Sequence, residues 1–125
     1  MNNPVVNFQM PYEDADRVVS FYNDAFVWKM INTGEATNNY IAALTTESDG
    51  FESVTKSAIN GGFSPKGPYS DVTVLVVSVQ DIDKAIEDTK SAGGKVLGDP
   101  IDIPDVGKMV SILDTEGNKL SLLEH

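Results

Sequence analysis

The chain has 125 residues, a formal net charge of -10 from 19 acidic against 9 basic side chains, one histidine and no cysteine. The missing cysteine excludes thiol catalysis, zinc–thiolate and iron–sulfur sites and any disulfide framework. The acidic field excludes nucleic acid and anionic membranes as partners, because both are held through Lys/Arg contacts that release counterions. The length suits one domain over 1–125, able to bury about two thirds of its unfolded surface without a disulfide or structural metal. A reducing cytoplasm is the expected location. Such acidity favours cationic ligands or simply keeps an ordinary protein soluble. No apolar run approaches the ~18 residues of a membrane span, and Met1-Asn2-Asn3-Pro4 has neither the charge nor the apolar core of a signal peptide. At the other end, Leu123-Glu124-His125 resembles the start of a vector-encoded histidine tag; read so, the natural chain holds no histidine.

In chain order, Val5–Met10 is a short strand with Val5, Val6 and Phe8. Asp14 is a good helix N-cap, its carboxylate accepting from free first-turn amides. Ala15, Val18, Val19, Tyr22, Ala25 and Phe26 then form an apolar stripe at helical spacing. Val27–Ile31 is β-rich, Asn32–Asn39 reads as a turn, and Tyr40–Thr45 as a strand. Thr46–Thr55 is a loop or edge region, Lys56–Phe63 a fourth strand, and Pro65, Gly67 and Pro68 form a linker. The order then repeats. Asp71–Val79 is a buried strand, and Asp81 caps a helix with Ile82, Ala85, Ile86 and Thr89 on one face. Gly93-Gly94 ends that helix. Lys95–Leu97 with Pro100–Ile103, Lys108–Leu113 and Lys119–Leu123 are strands, the last two joined by the turn Asp114–Asn118.

Each half is therefore β-α-β-β-β, with module one at about 4–64 and module two at about 70–125. Asp14-Ala15-Asp16-Arg17-Val18-Val19 lies over Asp81-Ile82-Asp83-Lys84-Ala85-Ile86 at an offset of 67 (81 minus 14). The offset agrees with the strand order on both sides, which makes the match a repeat. It also places Asn7 on Val74.

Four local motifs resemble the vicinal-oxygen-chelate superfamily of glyoxalases, bleomycin-resistance proteins and extradiol dioxygenases. Phe21-Tyr22-Asn23-Asp24-Ala25-Phe26-Val27-Trp28-Lys29 is similar to the family's stretch from helix one into strand two, with Val27 where a glycine is usual. Val79-Gln80-Asp81-Ile82-Asp83-Lys84-Ala85, Ala92-Gly93-Gly94-Lys95-Val96 and Asp114-Thr115-Glu116-Gly117-Asn118-Lys119-Leu120-Ser121-Leu122 follow in family order. The resemblance implies an α+β fold in which two βαβββ modules form a curved mixed/antiparallel sheet around a cleft, and a homodimer. Phe21, Tyr22, Phe26 and Trp28 are expected to pack between the first helix and the sheet.

Metal-dependent relatives hold a divalent ion with histidine and glutamate on four strands. Carried over by motif, the positions fall on Asn7, on Val74, on Ser121 and within Ala58–Gly62, where Asn60 is the polar candidate. Valine cannot ligate, and amide and hydroxyl oxygens are weak neutral donors for such ions. The expectation is therefore no metal and no cofactor. No Ser–His or Cys–His pair exists for nucleophilic work, and the carboxylate pairs Glu13-Asp14 and Asp81/Asp83 sit at helix starts, where capping explains them.

What remains for a cleft is Asn7, Gln9, Asn60 and Ser121 as neutral polar groups, Val74 as an apolar wall, and Tyr40, Phe63 and Met109 as walls or rim. That mixture suits a small organic ligand held by apolar contact and oriented by two or three hydrogen bonds. The leading expectation is a metal-free binding protein rather than an enzyme; metal-free members of the resembled family sequester cationic antibiotics. The alternatives are a metal-dependent lyase, isomerase or dioxygenase with displaced ligands, and a non-catalytic protein-interaction subunit.

Overall fold

The computed structural model describes residues 2–55, 57–68 and 70–125. The fold is mixed α+β, and the chain divides into two compact units. One is Asn7–Thr73; the other is Val74–His125 with the N-terminal segment up to Val6, whose Pro4 carbonyl accepts from Ser78 N at 2.9 Å.

The first unit draws on β1 (Val5–Tyr12), α1 (Ala15–Phe26), β2 (Lys29–Asn32), β3 (Ile41–Leu44), the two-residue pair β4 (Ser48–Asp49) and β5 (Glu52–Ser53), and β6 (Asn60–Pro65). Its main strands run in the order β2-β3-β6-β1, with β6 parallel to β1 and the other pairs antiparallel. The second unit has β7 (Val74–Val79), α2 (Ile82–Ser91), β8 (Lys95–Ile103), β9 (Gly107–Leu113) and β10 (Lys119–Glu124). Its strands run β7-β10-β9-β8, with β10 parallel to β7 and the rest antiparallel. In both units the first strand pairs in parallel with the last. Both helices open identically: Asp14 Oδ1 accepts from Arg17 N at 3.0 Å, and Asp81 Oδ1 from Lys84 N at 3.1 Å.

Alternation along each strand separates a helix face from a free face. In the first unit Phe8, Tyr12, Ile41, Ala43 and Phe63 form the core, closed over by Ala15, Val18, Val19, Tyr22 and Trp28. Tyr22 stacks on Trp28 with centroids 4.9 Å apart, and Phe8 meets Phe63 edge-on at 6.5 Å. In the second unit Val79, Ile82, Val110, Ile112 and Leu122 form the equivalent core. Glu124 ties the last strand to α2, its Oε1 accepting from Ile82 N at 2.8 Å.

Four expectations shift. The Thr46–Thr55 loop closes into the β4–β5 hairpin. The strand expected from Lys56 begins at Asn60, and Lys56 itself lies outside the described residues. The strand expected from Asp71 begins at Val74, leaving Val72 half-exposed. Phe21 and Phe26 are not buried under α1: they are 56% and 57% exposed and form the outer edge of the aromatic cluster, Phe21 meeting Tyr22 edge-on at 5.0 Å and Phe26 lying 5.8 Å from Trp28. The helix stripe at Ala15, Val18, Val19 and Tyr22 already fills the sheet-facing arc, so these two rings are turned outward.

A polar cluster on the free face of the first unit

The register of the first unit sets its free face. Ile31 pairs with Ala42, Ala42 with Gly62, and Gly62 with Gln9; the next row carries Asn7 beside Asn60. Tyr40, one residue before β3, lies on the same side as Ala42 and reaches back across the strands. Gly62 makes this possible, because a Cβ there would collide with the Tyr40 hydroxyl and Cζ. Glycine within a strand marks such a close approach. The preceding Gly61 serves the opposite face, where a Cβ would strike the Phe8 ring.

Asn7, Gln9 and Tyr40 are thereby brought into one hydrogen-bonded chain. Gln9 Nε2 donates to Asn7 Oδ1 at 2.5 Å and to the Tyr40 hydroxyl at 3.1 Å. All three side chains are partly exposed. Burial pushes the Tyr40 phenol above the ordinary tyrosine range, and the bond from Gln9 offsets this only in part. The group is a neutral phenol at physiological pH, a hydrogen-bond donor rather than a base.

The other expected site residues divide. Asn60 is 4% exposed and its amide is committed: Oδ1 accepts from Thr45 N at 2.8 Å, and Nδ2 donates to Ser48 Oγ at 2.7 Å and to the Phe51 carbonyl at 3.2 Å. It anchors the β4–β5 hairpin. Phe63 does not line the free face; alternation from Gly62 turns it into the core under α1, where it is 1% exposed. In the second unit Val74, Met109 and Ser121 lie on the face away from α2. Ser121 pairs with Val76 on one side and Ser111 on the other, and Met109 pairs with Leu123. Val74 and Ser121 are both buried. Sequence reading missed Gly62 and the hairpin residues Ser48 and Phe51. The Gly61-Gly62 doublet inside a strand pattern was the available signal for the first.

The positions carried over for a metal supply two amides, a hydroxyl and a hydrocarbon. Asn60 spends its oxygen on Thr45, and Asn7 spends its own on Gln9. Among the described residues no three His, Asp or Glu side chains gather into a cation site. These residues do not fit a divalent ion that needs several anionic or imidazole donors. Two open hollows lie elsewhere. One of about 390 Å³ is bounded by Tyr12, Glu13, Arg17, Phe21 and Lys66, and one of about 630 Å³ by Asp102, Asp105, Lys108 and Glu124. Neither includes Asn7, Gln9 or Tyr40. No helix among the described residues is long and apolar enough to cross a membrane.

Comparison with known proteins places these observations. The chain is 28% identical over 126 residues to a glyoxylase-like domain-containing protein of Didymella fabae, covering 94% of this chain and 91% of the relative. It is 24% identical over 116 residues to a lactoylglutathione lyase of Arabidopsis thaliana, covering 89% of this chain but 40% of that protein, so it spans about two fifths of that relative's length. Methylmalonyl-CoA epimerase from Streptomyces coelicolor, solved with 2-nitronate-propionyl-CoA, shares the fold at a TM-score of 0.67 with 15% identity, covering 96% of this chain and 95% of that one. The model of the family described as the Glyoxalase/Bleomycin resistance protein/Dioxygenase superfamily matches residues 5–122, and the chain belongs to that superfamily.

Proposed function

We propose that this protein binds a small organic molecule without a metal, using the helix-free face of its first unit, and that it is a binding protein rather than a metal-dependent lyase or isomerase. One observation carries the reading. The assembled polar group on that face is the neutral chain Asn7–Gln9–Tyr40, and the metal positions that the family resemblance carries over, Asn7, Val74, Ser121 and one within Ala58–Gly62, offer no charged donor. Neutral groups that already satisfy one another in part orient an organic ligand at little desolvation cost. The helix-free face of the second unit, with Val74, Met109 and Ser121, is the more apolar counterpart. A homodimer is the assembly we expect from the family.

The test is a thermal-shift screen of the untagged protein against nickel, zinc, manganese and iron(II) and a panel of small organic molecules. A ligand at ~100 times its Kd stabilises by about 2.7 kcal/mol, roughly a 10 °C shift for a domain of this size. Stabilisation by an organic compound with none from the metals is the expected result. A metal-only shift would overturn the reading and restore a metal-dependent enzyme.

A further inference from the structure

The hydrogen-bond polarity of the Asn7–Gln9–Tyr40 chain is set by one group. Gln9 Nε2 carries two hydrogens and spends both, one on Asn7 Oδ1 and one on the Tyr40 oxygen. A phenol that accepts through its oxygen still has its own proton to give. Among the described residues the Tyr40 O–H has no acceptor, and neither has Asn7 Nδ2. The two ends of the chain therefore present donors to whatever lies on this face. The phenol is held in place from below, because the missing side chain of Gly62 is the space its hydroxyl end occupies.

We propose that Tyr40 is a specificity-determining donor aimed by Gln9, and that the ligand of this face is recognised through an acceptor oxygen such as a ketone, ester or carboxylate rather than through a cationic group. This rests on the small-molecule reading above and names the ligand chemistry within it. The net charge of -10 would by itself favour cations, but that is a long-range, salt-screened field. A donor left without a partner on contact selects more sharply, since a ligand that cannot accept from it forfeits a hydrogen bond already desolvated. Gln9 is a positioning residue: it orients the Tyr40 proton outward by occupying the phenol's acceptor side.

Two probes of similar size separate the possibilities: acetophenone, neutral and acceptor-only, and benzylammonium, cationic and donor-only. Each is titrated into protein labelled with nitrogen-15 and with carbon-13 at tyrosine Cζ. Acetophenone should move the amide signals of Gln9 and Gly62 and the Tyr40 Cζ signal, and bind this face more tightly than benzylammonium. Tyr40→Phe should weaken acetophenone about tenfold, the equivalent of one good hydrogen bond. Gln9→Glu keeps the shape but only accepts, so it turns the Tyr40 proton inward. It should weaken acetophenone as much as Tyr40→Phe does, with the phenol still present and its Cζ signal displaced in the free protein. Gly62→Ala, whose Cβ pushes the phenol aside, should do the same while the amide spectrum elsewhere stays native. If acetophenone perturbs the face but binds Tyr40→Phe or Gln9→Glu undiminished, or if benzylammonium binds there more tightly, the donor assignment is wrong and the small-molecule reading stands. If neither probe moves Gln9 or Gly62 at millimolar concentration, the face is not a ligand site and both fall.

Discussion

Val27 ends α1 in the left-handed region, at φ 61° and ψ 29°, with its N–H donating to the Asn23 carbonyl at 3.0 Å. A β-branched side chain is strained there, and glycine is the ordinary residue at such a helix end. Val27 is also 85% exposed, so its side chain contributes little packing. Val27→Gly should therefore stabilise the protein by about 1 kcal/mol, the relief of left-handed strain less the extra unfolded-state freedom of glycine. Denaturant unfolding measures this, and a midpoint that falls would show the valine is held by something other than the backbone. Tyr40 gives a second prediction at the same scale. Its folded pKa is raised by burial, so the stability it contributes is whole below the ordinary phenol range and is lost as pH rises through the folded value. In an absorbance titration, Tyr40→Phe should remove a component that ionises above the ordinary tyrosine range. A missing early component would instead contradict the burial.

The β4–β5 hairpin is too short to hold itself, with only Ser48–Ser53 and Asp49–Glu52 paired. Asn60 supplies the anchor from β6 by bonding Thr45, Ser48 and Phe51. Asn60→Ala would leave the Thr45 amide and the Phe51 carbonyl without that partner. It should cost about 1–3 kcal/mol and raise hydrogen exchange in residues 46–55 before the core strands respond. Uniform exchange throughout the unit would mean the hairpin stands without its anchor. β8 shows a different limit of sequence reading. Two expected pieces, Lys95–Leu97 and Pro100–Ile103, are one strand whose register against β9 shifts between Leu97 and Ile101. Gly98, at φ 95°, takes the irregular backbone inside that step.

For the molecule as a whole, 19 acidic side chains are answered by 9 basic ones, and the described ion pairs, Lys66–Glu13 and Lys84–Asp88, are exposed. Such pairs contribute little, and the uncompensated charge repels itself across the surface. Raising ionic strength from about 0.01 M to about 0.15 M shortens the screening length from ~30 Å to ~8 Å. The thermal midpoint should then rise by roughly 3–5 °C, about 1 kcal/mol for a chain of this size. A midpoint that drops with salt would point to stabilising ion pairs outweighing the net charge. The two β-α-β-β-β units, each with a parallel first-to-last strand pair, are the arrangement behind the family match over residues 5–122.

The sequence by itself determined the repeat, the helix caps at Asp14 and Asp81 and the family, because caps, turns and apolar periodicity are local and each is written within a few neighbouring residues. Through motif resemblance it also set the expectation that the relatives' metal positions fall on Asn7, Val74 and Ser121, side chains that carry no charge. What only the tertiary structure decided is which side chains meet. Asn60 and Gln9 are both neutral amides on strands of one sheet face, yet one is consumed by Thr45 and the β4–β5 hairpin that precede it in the chain and the other orients a phenol from β3's leading end. Phe63 and Tyr40 are both aromatic candidates for one wall, but the pleat sends Phe63 under α1, while the empty place at Gly62 lets Tyr40 lie across the sheet to Gln9. Those outcomes depend on register between strands far apart in the chain, and a one-residue change of register would exchange the two faces.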